Sequence, residues 1–164
     1  GARRLGHPRD IQFVYCGQGA TRETLMQACT GLSNVHWLDL QPVERLPELL
    51  GLADIHLLPQ RADAADLVMP SKLTGMLSSG RPVVAGTRAD TELGKVVAQC
   101  GRLAVPDDAQ SFAQAVQELA GQPSLRQELG ARARAWAEQN LARDAVHGQF
   151  EAALRECAAH ARRR

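Results

Sequence analysis

The chain has almost no charge excess: 19 basic and 18 acidic side chains among 164 residues leave a formal net charge of +1. That balance excludes a protein that grips nucleic acid by neutralising phosphates, which needs a clustered basic face. Only Arg162 to Arg164 form a basic run. Long apolar runs are missing as well. No stretch approaches the roughly 20 apolar residues of a membrane-spanning helix, and the N-terminus lacks the basic, apolar and small-residue order of a signal peptide. Aromatic residues make up only 4% of the chain, and the four cysteines, Cys16, Cys29, Cys100 and Cys157, form no C-x-x-C pair and have no histidine at a zinc-type spacing. They are expected to be reduced thiols filling small apolar gaps, and neither a metal nor a cofactor is expected.

What remains, 45% hydrophobic and 23% charged residues, is the make-up of one soluble globular domain over residues 1–164, long enough to bury a core. A cytoplasmic location is the default expectation. The chain starts at Gly1 and runs at once into the basic, helix-end-like stretch Ala2-Arg3-Arg4-Leu5, so a fragment of a longer protein is expected.

Ile11 to Cys16 is a β-branched and aromatic run that stops at Gly17-Gln18-Gly19, the pattern of a buried strand ending in a turn. A helix follows, with Thr21 as N-cap, Leu25, Met26 and Cys29 on one face and Gly31 beyond its end. Val35 to Leu38 is the next strand, and Pro42 opens a helix whose apolar positions Val43, Leu46, Leu49, Leu50 and Ala53 recur at helical spacing. Ile55 to Leu58 is a third strand, leading into a polar segment that carries Arg61, Asp63 and Asp66. Pro70-Ser71-Lys72 starts a helix with Leu73, Met76 and Leu77 facing inward, ended by Gly80 ahead of a strand over Arg81 to Ala85. Glu92 to Gln99 is a helix, Leu103 to Val105 a strand, and Pro106-Asp107-Asp108 turns the chain into helical segments, the last over residues 142–161. Strands alternating with helices in this rhythm imply an α/β domain, a Rossmann-like parallel sheet with helices on both faces and right-handed crossovers. Ligands of such sheets sit outside the carboxyl ends of the strands.

Several residues near that edge have chemistry to offer. Gly17-Gln18-Gly19 lets a backbone approach a phosphate, but Arg22 stands where a dinucleotide fingerprint has its third glycine, although Asp39 does follow the second strand. An ordinary strand-to-helix turn is the simpler reading. Pro70-Ser71-Lys72 combines the unpaired N–H groups of a helix start with a hydroxyl and an ammonium, which suits an anion such as a diphosphate; equally, it starts a helix with a solvated lysine. Asp63 and Asp66 either bind a sugar's hydroxyls or keep a loop soluble. His36 and His56 lie within strands, where a satisfied structural histidine is the usual case. His7, His147 and His160 read as surface positions, and Trp37 and Trp136 as core. The stripe Val146, Phe150, Leu154, Cys157 and Ala161 reads as a docking face on the domain itself.

In their order these segments resemble the C-terminal half of a GT-B glycosyltransferase of the large retaining family 4. The resemblance runs through almost the whole chain: Ile11 to Gly19, Asn34 to Leu38, Leu46 to Pro59 with Ala53-Asp54, then Pro70-Ser71-Lys72-Leu73 and Ser79-Gly80-Arg81-Pro82-Val83-Val84-Ala85, and on through Glu92, Gly101 and Pro106-Asp107 to the helix pair from Phe112 to Arg134. Ala62 to Val84 is especially similar to the colanic-acid-type branch, which builds bacterial surface polysaccharides such as lipopolysaccharide, capsule and exopolysaccharide. The resemblance implies a donor-binding domain for a nucleotide diphosphate sugar, a GDP- or UDP-sugar, with transfer to the acceptor under retention. It places the base near Leu40 and Gln41, the diphosphate near Ser71 and Lys72, the glycine turn at Gly17 and Gly19, and the acceptor on a separate N-terminal domain.

Two departures accompany it. The family's paired glutamates fall at Leu67 and Gly75, with Asp66 beside the first as a substitute carboxylate, and the glycine at 75 suggests close packing or ligand approach. The family's first strand, with its glycine loop and basic pair, has no counterpart before Ile11, so the chain alone is expected to bind donor weakly and to catalyse nothing. A GT-B-shaped sugar-nucleotide epimerase and a non-catalytic Rossmann-like partner module are the alternatives. Lipid-linked acceptors would bring the longer enzyme to the inner face of the membrane.

Overall fold

A computed structural model describes residues 11–60, 69–142, 151, 154 and 155. Its elements alternate as β1 (Phe13–Cys16), α1 (Arg22–Ala28), β2 (Val35–Leu38), a 3-10 turn (Val43–Arg45), α2 (Leu46–Leu52), β3 (His56–Leu58), α3 (Ser71–Ser78), β4 (Val83–Gly86), α4 (Glu92–Cys100), β5 (Gly101–Ala104), α5 (Ala109–Gly121) and α6 (Pro123–Asn140). The expected helix over 142–161 and the residues Asp63, Asp66 and Leu67 lie outside the described residues, apart from the helical residues 151, 154 and 155.

Every strand pairing is parallel, as the βα rhythm requires. The strands fall into two sheets: β1 pairs with β2, and β3-β4-β5 form a second. β4 is buried at all four positions, the mark of a central strand covered on both faces. Its alternation sorts the core. Val83 and Ala85 face one cluster with Leu58 of β3, Leu73 and Leu77 of α3, Leu93, Val96 and Val97 of α4, and Ala133 and Ala137 of α6. Val84 faces the other cluster with Phe13 of β1, Ala113, Val116 and Leu119 of α5, and Leu129 of α6. Helices therefore cover both faces of the three-stranded sheet. Each fully buried leucine stabilises by about 1.5–3 kcal/mol, so α3, α4 and α5 hold their places by packing far more than by helix propensity.

Capping marks the same elements. The Thr91 hydroxyl accepts from Gly94 N–H, and the Asp108 carboxylate accepts from Gln110 and Ser111 N–H. At α1 the expectation needs correction: Thr21 stands at the N-cap position but makes no side-chain cap. Neither α1 nor α2 contains a buried residue: of the apolar stripes expected to face inward, Leu25, Met26, Val43 and Leu46 are exposed, and Cys29, Leu49, Leu50 and Ala53 are half-buried. Gly80, at φ +70°, ends α3. Gly130 of α6 passes so close to this turn that a methyl group there would lie 2.3 Å from the Gly80 carbonyl oxygen. β5 begins at Gly101, two residues earlier than expected, because Gly101 pairs with Val83 through its backbone alone.

Candidate functional site

Parallel strands deliver their carboxyl ends to one edge; of the expected site residues, Gly17, Gly19, Leu40 and Gln41 follow β1 and β2, and Pro70, Ser71 and Lys72 stand at the start of α3. Gly17 ends β1 at φ +138°, a conformation that glycine adopts without strain, and its N–H donates to Leu38 O of β2 at 3.2 Å. Arg22, at the first position of α1, donates from Nη1 to Asp39 Oδ1 at 2.8 Å, while the Asp39 carbonyl accepts from Cys16 Sγ and Gln41 Nε2. The guanidinium thus holds the carboxylate that a dinucleotide fold would offer to a ribose, and Arg22 itself fills the third-glycine position. Asp39 is largely exposed, so the pair contributes at most about 1 kcal/mol. Leu40 projects into solvent and Gln41 is half-buried.

The start of α3 lies at the same edge, after β3. Pro70 is its N-cap residue and has no side-chain acceptor, so the first-turn N–H groups are left without a side-chain cap. Leu73 N–H closes the first turn onto Pro70 O at 2.9 Å. Ser71 and Lys72 are exposed, and the first turn holds no acidic residue. A lysine here opposes the helix dipole and costs about 0.3–1 kcal/mol, a cost that an anion bound at the helix start would reverse. Leu73 and Leu77, both fully buried, fix the helix beneath this end.

Gly75 has a packing reason: a Cβ there would lie 3.1 Å from Leu50 Cδ1 of α2. The loop after β4 is tied to itself. Thr87 Oγ1 and Thr91 Oγ1 are 3.0 Å apart, and Thr87 N–H reaches Ala104 O. Arg88 pairs with Asp90, whose carboxyl it holds below the usual aspartate range.

Gln60, one residue beyond Pro59, was not among the expected site residues. Its Oε1 is buried at the carboxyl end of β3 without a partner among the described residues, and its backbone lies 3.5 Å from where a Cβ on Gly86 would sit. The signal available in the sequence was a polar residue just beyond the proline that closes an apolar strand.

Of the histidines, His36 and His56 are described, and both bond within the fold; His7, His147 and His160 lie outside the described residues. His56 Nε2 is 2.9 Å from Ser79 Oγ, which itself donates to Met76 O, so the ring donates. Burial, reinforced by nearby Arg81, lowers its pKa to about 4. His36 is exposed and bonded to Gln12 Oε1 at 2.8 Å. Trp37 stacks on Tyr15 with ring centroids 4.8 Å apart, and Trp136 packs against the α3–α4–α6 core. Of the thiols, Cys100 fills a buried gap as expected, which pushes its pKa up to about 11; Cys16 is exposed instead, at the strand end beside Asp39. No metal-binding cluster occurs among the described residues.

At the opposite edge of the sheet, a cavity of about 230 Å³ is lined by Asp54, Arg81, Pro82 and Arg126 among others. Its arginines are committed to backbone carbonyls, Arg81 to Gly51 O and Arg126 to Leu119 O and Ala120 O, which makes it a structural feature.

Solved structures share this fold. WaaG, a glycosyltransferase involved in lipopolysaccharide biosynthesis, superposes with a TM-score of 0.60 at 23% identity, over 77% of this chain and 34% of WaaG. HepE of Anabaena, solved with UDP, gives 0.70 at 18% identity over 89% of this chain and 41% of its own. Sucrose-phosphate synthase of Thermosynechococcus elongatus gives 0.72 at 21% identity over 91% of this chain and 39% of the synthase. The fold class is therefore the α/β domain that these proteins share. Residues 2–122 match the family Glycosyl transferases group 1, and the chain belongs to that family. It is also 36% identical over 140 residues to WcaI of Escherichia coli (strain K12), named for colanic acid biosynthesis glycosyl transfer, covering 84% of this chain and 34% of WcaI. The chain thus spans about a third of the length of that relative. Among the described residues, no helix is long and apolar enough to cross a membrane.

Proposed function

We propose that this chain is the donor-binding part of a retaining glycosyltransferase that moves a sugar from a GDP- or UDP-sugar to an acceptor in bacterial surface polysaccharide biosynthesis. The observation that carries the reading is the uncapped, acid-free start of α3 with Lys72 exposed beside it, at the carboxyl edge of a family member's sheet. First-turn N–H groups and the Lys72 ammonium would hold the donor's diphosphate, and the same positive field would stabilise the charge that develops on it as the glycosidic bond breaks. Leu40 and Gln41 would border the base, and Gly17 to Gly19 would let the backbone approach. Asp63 and Asp66, outside the described residues, are the candidates for the sugar's hydroxyls. HepE, a structural neighbour, has been solved with UDP and with UDP-glucose, which supports a nucleotide-sugar ligand. The acceptor would be held by a further part of the longer enzyme, so this chain alone would bind donor without turning it over.

Calorimetric titration with GDP, UDP and their sugar conjugates, on this chain and on a longer product of its reading frame, tests the reading. One nucleotide is expected to bind selectively, and Lys72→Ala to weaken it about tenfold, equivalent to about 1.4 kcal/mol. Failure of every nucleotide to bind the longer product, or an unchanged affinity in Lys72→Ala, would overturn it.

A further inference from the structure

Asn34, His56, Thr87 and Thr91, the buried polar residues among those described, are all answered within the fold. Asn34 Nδ2 donates to Ile11 O at 3.1 Å, the His56 ring meets Ser79 Oγ, and the hydroxyls of Thr87 and Thr91 lie 3.0 Å apart. Against that background, two buried side-chain atoms have no partner among the described residues: Arg22 Nε, after β1, and Gln60 Oε1, after β3. The Arg22 guanidinium is anchored all the same, through Nη1 on Asp39 Oδ1. Gln60 Oε1 is an acceptor to which nothing among the described residues donates. An oxygen left buried and unpaired loses its hydration for no return, so a native fold that keeps one calls for a physical reason.

The sequence fixes where this oxygen sits. β3 stops at Leu58 because Pro59 has no N–H with which to continue a ladder, and Gln60 follows, half-buried. On the neighbouring strand Ala85 pairs with Leu58, and Gly86 closes β4 against the Gln60 backbone: a Cβ on Gly86 would lie 3.5 Å from both Gln60 N and Gln60 O, and 3.8 Å from Phe112 Cδ2. Gln60 is thus seated against the end of a fully buried strand, at the edge from which the chain runs on to α3. An oxygen that can only accept needs a donor. A diphosphate has no hydrogen to give at neutral pH; a hydroxyl has.

Building on the donor-binding reading above, we propose that Gln60 Oε1 accepts a hydrogen bond from a hydroxyl of the donor's transferred sugar, and so helps to decide which sugars this protein takes. On that reading the base lies by Leu40 and Gln41, beyond β2 in the two-stranded sheet, and the diphosphate lies at the start of α3. The sugar, joined to the far end of the diphosphate, continues along the edge of the three-stranded sheet, where Gln60 stands. An amide oxygen neither gives nor takes a proton at neutral pH, so its contribution is to select and orient the sugar. A sugar that lacks the hydroxyl strands the oxygen again, which is how a buried polar contact discriminates more sharply than an apolar one.

A ratio of affinities tests this. Dissociation constants for UDP, UDP-glucose, UDP-galactose, GDP, GDP-glucose and GDP-mannose are measured by calorimetry on the full product of the reading frame, as wild type, Gln60→Met and Gln60→Glu. For the nucleotide that binds, Gln60→Met is expected to weaken the sugar conjugate about tenfold and to leave the bare diphosphate within about twofold, while Gln60→Glu, which keeps an acceptor, preserves the wild-type ratio of the two. Urea unfolding without ligand should find Gln60→Met as stable as the wild type or more so, because the substitution removes an unpaired polar atom. An unchanged ratio in Gln60→Met overturns the proposal and leaves the donor-binding reading standing. Equal weakening of diphosphate and conjugate, a ratio in Gln60→Glu as poor as in Gln60→Met, or a loss of stability that shows the oxygen bonded within the protein does the same. Failure of the wild type to bind any of the six overturns the donor-binding reading itself, and the role of Gln60 with it.

Discussion

Residues 11–55 and residues 56–142 follow the same βα rhythm, yet the second stretch supplies nearly all of the buried core, the first contributing only Phe13 and Asn34 as buried residues. From β3 onward, α3, α4, α5 and α6 each bury several side chains, and β4 is enclosed on both faces. In the first stretch, α1 and α2 have the apolar periodicity of core helices and bury no residue. Amphipathic spacing specifies which face a helix wants to hide; only the rest of the fold decides whether anything is there to hide it. The contrast between the halves is thus a contrast in partners, with local propensity similar in both.

That contrast can be broken most sharply with leucines. Leu77→Ala, at a fully buried position, should lower unfolding free energy by about 3–4 kcal/mol, whereas Leu25→Ala, at 42% exposure, should change it by less than about 0.5 kcal/mol in this chain. Urea unfolding of both variants checks it, and equal losses would mean that the first half is packed after all. Acid titration comes next in size. His56 has its folded pKa lowered to about 4 from 6.5, so the unfolded chain binds a proton between those values and the folded chain does not. No contribution is felt above about pH 6.5; stability should then fall by on the order of 2–3 kcal/mol as pH drops to about 4. His56→Gln, which keeps a donor for Ser79, should flatten that part of the profile, and an unchanged slope would assign it to other groups. Capping gives the smallest effect: Asp108→Ala should cost about 1 kcal/mol, while Thr21→Ala, which removes no cap bond, should be close to neutral in thermal melts.

Much of this was legible in the sequence. The alternation of apolar runs with helical stripes, the turn at Gly17, the α3 start at Pro70 to Lys72 and its end at Gly80 all rest on short-range chemistry, and the structure has them where that chemistry puts them. What escaped depends on distant contacts. β5 starts early because Gly101 has no side chain to announce it. The exposure of Cys16 and the division of the strands between two sheets are set by neighbours far away in the chain. At the edge itself, Arg22 and Asp39 were each conspicuous, but only the fold shows that they hold one another. Gln60 was hidden by its ordinary setting in a polar stretch.

The near-contact between Gly130 and the Gly80 carbonyl has a consequence for how this chain can change over generations. A side chain as small as a methyl has no room there, so beside its buried Leu129, Ala133 and Ala137 α6 is seated by a close approach of two backbones, and drift at position 130 is closed to every other amino acid without moving the helix. In a library of random variants selected for folding, tolerance should therefore run opposite to conspicuousness: the exposed pair Glu128 and Arg132 on α6 can be exchanged freely, while the residue with no side chain at all stays unchanged.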